Sequence, residues 1–264
     1  MKLSRITTKQ QDIIKLLYRY RFLNRIQIQT FMGHKDKRRS SRWLKDLREK
    51  HYIEWIYSTD FTEKSKPAIY YLELDGVRYL RTTDEYPPEE LRKRYKESSR
   101  KQDFIAQSLL IADCCLNLEN KTAGKTHYSF VNASDYSNSD DDYYFLSELH
   151  PHLCFVKTTP RNKTSYLLEV FGTSSPRYMV KKRLDDYVQY LSNNEWESET
   201  GDEDPPIILI ACSSVAELAY AKRRTRTLLQ NIWGEDIPED IILRFATITK
   251  LKLEGVTGTI WEDI

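Results

Sequence analysis

The sequence predicts an α+β chain in two modules: a helical front closed by a β hairpin, then an α/β back module whose mixed sheet is flanked by helices. Three observations predict it. Apolar residues recur at helical spacing in three successive segments before residue 51, and two β-like runs follow. From His127 onward, short apolar runs alternate with two long helical patterns. Charge divides in the same way. Residues 1–100 carry 24 Lys+Arg against 14 Asp+Glu, a net of +10, whereas residues 101–264 carry 17 against 25, a net of −8. The overall +2 therefore hides two modules of opposite sign, suited to different partners.

Several classes are excluded at this level. The longest continuous apolar run, Ile207–Cys212, is far short of the roughly 20 residues that cross a bilayer. Residues 1–10 contain no apolar stretch of the secretory kind, so a cytoplasmic protein without membrane contact is expected. Cys114, Cys115, Cys154 and Cys212 lack C-x-x-C spacing and sit in apolar runs, as buried thiols of a reducing compartment do. The five histidines form no zinc spacing with them, and neither a metal nor a cofactor is expected.

In the front module, Thr8–Tyr20 places Ile13, Leu16, Leu17 and Tyr20 on one helical face, with Thr8 as N-cap. Asn24 caps a short segment carrying Ile26, Ile28 and Phe31, which ends at Met32-Gly33-His34. Asp36 opens a third helix, to about Lys50, with Trp43, Leu44 and Leu47 on its apolar face. Two β-like runs follow, Tyr52–Tyr57 and Ala68–Leu74, with a polar loop from Ser58 to Pro67 between them. Trp43 and Trp55 fall on the apolar phase of their elements and are expected in the core.

Three helices followed by a two-stranded hairpin is the order of a winged helix-turn-helix, in which the third helix enters the major groove. Its outward positions here are Lys37, Arg38, Arg39, Ser41, Arg42 and Lys45. Arginine suits forked hydrogen bonding to guanine edges and phosphates. Lys64 and Lys66 at the hairpin tip would reach an adjacent groove or backbone. A basic face is also what a merely solvated helix presents. Two features favour DNA: the cations concentrate on the third helix, and residues 1–83 hold the whole excess, 19 basic against 9 acidic.

Asp84-Glu85-Tyr86-Pro87-Pro88 breaks the pattern and places the boundary, giving modules 1–84 and 85–264. From Glu89 the chain reads as helix, with a possible second start at Ser98 or Ser99 and an apolar face from Phe104 to Leu116. The run Arg92-Lys93-Arg94-Tyr95-Lys96 reads equally as an extension of the basic surface or as a solvated stretch. Ala123-Gly124-Lys125-Thr126 lacks the earlier glycine of a phosphate-binding loop and reads as a turn, with Gly124 ending the long helix.

In the back module the strands are expected at His127–Val131, Leu153–Lys157, Tyr166–Phe171, Ile207–Cys212 and Leu243–Ile248. Helices are expected at Arg177–Leu191 and Val215–Trp233. Loops are expected at Asn132–Glu148 and, strongly acidic, at Glu195–Asp204.

This order resembles the PD-(D/E)xK nuclease core. That resemblance implies an Asp at the start of the second strand and a Glu in the third as ligands of a divalent metal, and a Lys two residues beyond the Glu acting on water. Here Pro151-His152 stands in place of Pro-Asp, Glu169 holds the acidic position, and Phe171 stands where the Lys would be. Lys181 or Lys182 could replace the Lys from the next helix, and His152, with His150 on the same strand face, could ligand a metal beside Glu169. Imidazole suits Zn²⁺ or Mn²⁺ better than Mg²⁺. The other reading makes Glu169 a remnant that bonds nearby backbone or pairs with Lys181 or Lys182. Two of the three catalytic positions are altered, so no catalysis is expected.

A second resemblance spans nearly the whole chain. The helix Thr8-x-x-Gln11-x-x-Ile14-x-x-Leu17, the helix Arg39-x-x-Arg42-x-Leu44-x-x-Leu47 and the hairpin end Tyr70-Tyr71-Leu72-x-Leu74-x-Gly76 are similar to the replication-relaxation family. So are Leu168-Glu169-Val170-x-Gly172-Thr173, the stretch from Lys182 to Tyr190, and the closing Gly255-x-x-Gly258-x-Ile260-Trp261. The chain departs from that family at His152 and Phe171. The resemblance implies a winged helix joined to a nuclease-like domain, in a bacterial plasmid- or phage-associated protein linked to replication and to DNA relaxation or mobilisation.

Together these readings predict a sequence-selective double-stranded DNA-binding accessory factor of a mobile element. The acidic module would form a homodimer or recruit a relaxase, replication initiator or polymerase. A metal-dependent nuclease with migrated catalytic residues and a transcriptional autoregulator are the alternatives.

Overall fold

The computed structural model describes residues 3–57, 66–136 and 142–264. The chain divides into two compact units, Met1–Leu116 and Asn117–Ile264.

The first unit opens with α1 (Thr8–Tyr20), β1 (Leu23–Asn24), α2 (Arg25–Phe31) and α3 (Lys37–Glu49). The hairpin strands β2 (Ile53–Ile56) and β3 (Ile69–Leu72) follow, then α4 (Leu74–Arg81) and α5 (Pro88–Lys93). Thr7, not Thr8, caps α1: its backbone N–H donates to Gln10 Oε1 at 2.9 Å. Asn24 caps α2 as expected. Its Oδ1 accepts from the N–H groups of Ile26 and Gln27 at 2.9 and 3.0 Å, and the Gln27 side chain returns a bond to the Asn24 N–H at 2.9 Å. The buried face of α1 presents Ile13, Ile14 and Leu17, and α3 contributes Leu44 and Leu47. The three strands run antiparallel in the order β1-β3-β2, with Tyr70 facing Leu23 on one side and Trp55 on the other.

Helix α4 begins at Leu74, where the expected second strand ends, and the sequence reading assigns nothing to the residues that follow. Gly76 allows it. A Cβ there would run into the Tyr52 carbonyl oxygen, which already accepts the Glu73 N–H at 3.0 Å. Gly76→Ala is expected to cost about 1–3 kcal/mol by forcing this backbone contact apart, read as a lower urea midpoint.

The boundary differs from the expected one at residue 84. Pro88 opens α5 at a position where a missing N–H costs nothing, so the proline pair starts a helix instead of forming a linker. Residues 85–116 belong to the first unit through buried polar contacts. Arg94 is 3% exposed and donates from Nε to the Tyr18 carbonyl at 3.2 Å. Burial lowers its guanidinium to about 10. Buried Glu97 receives Arg21 Nε at 2.8 Å and Nη2 at 3.0 Å, with Arg100 at 3.5 Å. The run from Arg92 is thus neither wholly DNA-facing nor wholly solvated. Helix α6 (Gln102–Lys121) contains the unit boundary, and its Asp113 and Leu109 carbonyl receive Gln27 Nε2 at 2.6 and 2.8 Å.

The second unit contains β4 (His127–Asn132), β5 (Leu153–Thr158), β6 (Lys163–Phe171), α7 (Arg177–Ser192), α8 (Glu195–Thr200), β7 (Ile207–Cys212), α9 (Val215–Trp233), β8 (Leu243–Thr247) and α10 (Ile248–Glu254). The sheet order is β4-β5-β6-β7-β8. The first three strands pair antiparallel; β6-β7 and β7-β8 pair parallel. Helices α7 and α9 are the crossovers that parallel pairing demands. One face, with Leu167, Ile208, Ile210 and Phe245, packs under Val180, Leu184 and Val188 of α7 and Ala221 and Leu228 of α9.

The expected acidic loop after α7 begins with α8, because Trp196 buries its ring against this core. Helix α10 and strand β1 have no counterpart in the sequence reading. Gly124, at φ +61°, sits in a tight turn beyond the end of α6 and does not itself cap it. Trp55, expected in the core, is 37% exposed: it lies past the edge of the packed layer, with the Arg48 guanidinium 3.6 Å above its ring. All four cysteines are free and buried, and burial pushes the Cys154 thiol up to about 12.

Candidate nucleic-acid interface

Helix α3 is held by its inner face and bare on its outer one. Ser40, Leu44 and Leu47 are buried, while Lys37, Arg38, Arg39, Arg42 and Lys45 are exposed and Ser41 lies half-buried on the flank. At 3.6 residues per turn, Arg38, Arg42 and Lys45 form one stripe, with Arg39 beside it. The turn into α3 is set by Gly33 at φ +61° and braced by Gln29, whose Nε2 donates to the His34 carbonyl at 3.0 Å. Asp36 caps the helix by accepting the Arg38 N–H at 2.8 Å.

The electrostatics run against local preference. The first turn of α3 holds Lys37, Arg38 and Arg39 and no acidic residue. Cations at a helix N-terminus oppose the dipole by about 0.3–1 kcal/mol each. Among the described residues, Arg38, Arg39 and Arg42 have no carboxylate partner, and Lys45 reaches only the exposed Glu49 at 3.7 Å. An anion laid along this face would relieve the strain.

The hairpin adds an outward aromatic pair that the sequence reading placed otherwise or passed over. Trp55 and Tyr57 stack with ring centroids 5.4 Å apart, both exposed. The strand alternation puts Trp55 on the same face as Ile53, and only the extent of the core decides that it emerges. Lys66 is exposed, and Lys64 lies outside the described residues.

In the second unit, Glu169 is 3% exposed and fully engaged. Arg183 Nη2 donates to Oε2 at 2.6 Å and Nε to Oε1 at 3.3 Å, and the Tyr187 hydroxyl donates to Oε2 at 2.7 Å. Arg183 also donates to the Leu149 carbonyl at 2.6 Å. Burial pushes the Glu169 carboxyl up, but the neighbouring His152 and Arg183 outweigh it and hold the group at about 2. The two partners differ in kind. His152 Nδ1 lies 3.5 Å from Glu169 Oε1 and 3.2 Å from the Val170 nitrogen, and Arg183 is the permanent cation. Lys181 and Lys182 are exposed and do not pair with Glu169; Lys182 approaches Asp186 at 4.0 Å. The expected pairing with a lysine of α7 is therefore replaced by Arg183. Among the described residues no cluster of three or more His, Cys, Asp or Glu side chains is placed to hold a metal, and no helix is long and apolar enough to cross a membrane.

A unit with an outward basic third helix, followed by a unit with a five-stranded mixed sheet, defines a two-unit α+β protein. Residues 14–203, well over half of the chain, match the family described as replication-relaxation, and the protein belongs to that family. Among solved structures, the restriction endonuclease FokI aligns at 13% identity with a TM-score of 0.33, covering 96% of this chain. The chain spans 46% of that enzyme's length. No curated protein matches the chain.

Proposed function

We propose that this protein is a non-catalytic, sequence-selective binder of double-stranded DNA that serves as an accessory factor in plasmid or phage replication, relaxation or mobilisation. The first unit is a winged helix whose α3 enters the major groove. The second dimerises or recruits a protein partner such as a relaxase, initiator or polymerase. The observation that carries the reading is the stripe of Arg38, Arg42 and Lys45, with Arg39 beside it, exposed on a helix whose opposite face is locked in a core. Membership of the replication-relaxation family supports the setting. The net −8 of residues 101–264 disfavours a second duplex contact and favours a protein partner.

The test is a duplex selected from a random pool and titrated by fluorescence anisotropy at several salt concentrations. If five cations of the first unit each neutralise a phosphate, the log–log slope of affinity on salt is about −4 to −5. A slope near zero, or no enrichment of any sequence, overturns the reading.

A further inference from the structure

We propose that the second unit carries a nucleotide-binding pocket on the sheet face opposite α7 and α9, separate from the α3 surface and independent of it. A cavity of about 170 Å³ opens there, walled by Tyr128, Phe155, Tyr166 and Trp261, with Lys157 and Arg244 among its lining. The strand register places these groups together. Phe155 faces Tyr166 across β5-β6, with the two rings stacked 4.7 Å apart at 9°. Tyr128 faces Lys157 across β4-β5, and Arg244 pairs in register with Leu209 of β7, which also lines the cavity. Side chains alternate between sheet faces, so this set points away from the core under α7 and α9.

The chemistry of the lining selects the ligand. Tyr128 and Tyr166 are half-exposed rings on which a planar base can stack. Lys157 is half-exposed, and no carboxylate pairs with it among the described residues. Arg244 is steadied by the exposed Asp263 at 2.9 Å. Two cations beside aromatic walls match a base that carries phosphate. The cavity holds one ring system, and the −8 charge of residues 101–264 opposes a long polyanion. A single nucleotide satisfies both limits, either free or as the end of a strand.

The far wall is built, not loose. Asn117 Oδ1 accepts both the Thr257 N–H at 3.3 Å and the Thr257 hydroxyl at 3.0 Å. A Cβ on Gly255, at φ +77°, would run into the Asn117 side chain. The Trp261 indole N–H donates to the Val256 carbonyl at 2.9 Å, and Phe245 and Glu262 exchange backbone bonds at 2.8 Å. A wall already ordered before binding lowers the entropy lost on association.

Calorimetric titration of the full chain tests this with thymidine monophosphate, deoxyadenosine monophosphate, inorganic phosphate and a 5′-phosphorylated tetrathymidine strand. The mononucleotides are expected to bind, and Lys157→Gln and Arg244→Gln each to weaken binding about tenfold, the loss of one charge-assisted contact. Arg39→Glu with Arg42→Glu, which disables α3, should leave this binding unchanged. Tighter binding of the tetranucleotide than of the mononucleotides identifies a strand end as the source; the reverse identifies a free nucleotide. The proposal is overturned if no nucleotide binds, if inorganic phosphate binds as well as the nucleotides do, or if Lys157→Gln and Arg244→Gln leave affinity unchanged. Loss of duplex binding alone sinks only the α3 reading.

Discussion

Replacing Arg39 and Arg42 together by Glu lowers affinity for the selected duplex by a factor of about 100 to 10,000 without lowering the melting temperature. Each side chain contributes a charge-assisted contact worth about 1.5–3 kcal/mol, and each reversal sets a carboxylate against phosphate. Both residues are exposed and have no carboxylate partner among the described residues, so no folded contact is lost. Surface changes of this kind usually stay within about 0.5 kcal/mol. Arg39 lies in the first turn of α3, so Glu there complements the helix dipole and is expected to hold stability or raise it slightly. Anisotropy titration and thermal unfolding on the same preparation separate the two effects. Unchanged affinity removes α3 from the interface; lost affinity with a collapsed melting temperature means the arginines were structural. Arg42→Lys, which keeps charge but loses the planar fork, should retain binding to random duplex and blur sequence preference.

The part of this surface legible in the sequence is the part that local rules govern. The α3 face could be read because Leu44 and Leu47 mark the inner side and Arg38, Arg39, Arg42 and Lys45 fall away from it. Asn24 and Gln27, three residues apart, spell a capping box. Strands β5 and β7 are short, nearly continuous apolar runs, as buried strands are. What could not be read depends on tertiary packing. Helix α4 follows Ile69–Leu72 after the single residue Glu73, too short a gap to mark a new element, and only the close approach to Tyr52 explains Gly76. Arg94 and Glu97 look solvated in a basic run, yet both are buried. For Glu169, Lys181 and Lys182 drew attention by charge alone. The readable signal was position: Arg183 sits three residues after Val180 and four before Tyr187, on the stripe of α7 that faces the sheet. A cation on an apolar stripe needs a buried partner.

That pairing carries the second large effect. Glu169→Ala is expected to destabilise the second unit by about 3 kcal/mol, because it leaves the largely buried Arg183 guanidinium with only the half-exposed Asp186, at 3.7 Å, as a carboxylate partner. The Tyr187 hydroxyl, fully buried, loses its acceptor in the same step. Urea unfolding followed through this unit measures the loss. Glu169→Gln keeps a hydrogen-bond acceptor and should cost less. The pH dependence has a definite sign. The folded carboxyl sits at about 2 against an ordinary 4.5, so its contribution is fully present above about pH 4.5 and is lost as pH falls towards 2. The stability gap between wild type and Glu169→Gln is therefore expected to narrow as pH falls through that window. Comparing the two proteins cancels the other carboxylates. A gap that does not depend on pH would show that Glu169 is not an ionised partner of Arg183. The same variant decides between structure and chemistry. Both Glu169 oxygens are held by Arg183, with Tyr187 on one of them, so neither is turned to a metal. Supercoiled plasmid incubated with Mg²⁺ or Mn²⁺ should show no Glu169-dependent nicking. Nicking by wild type that disappears in a well-folded Glu169→Gln would make this carboxylate catalytic and overturn the non-catalytic reading.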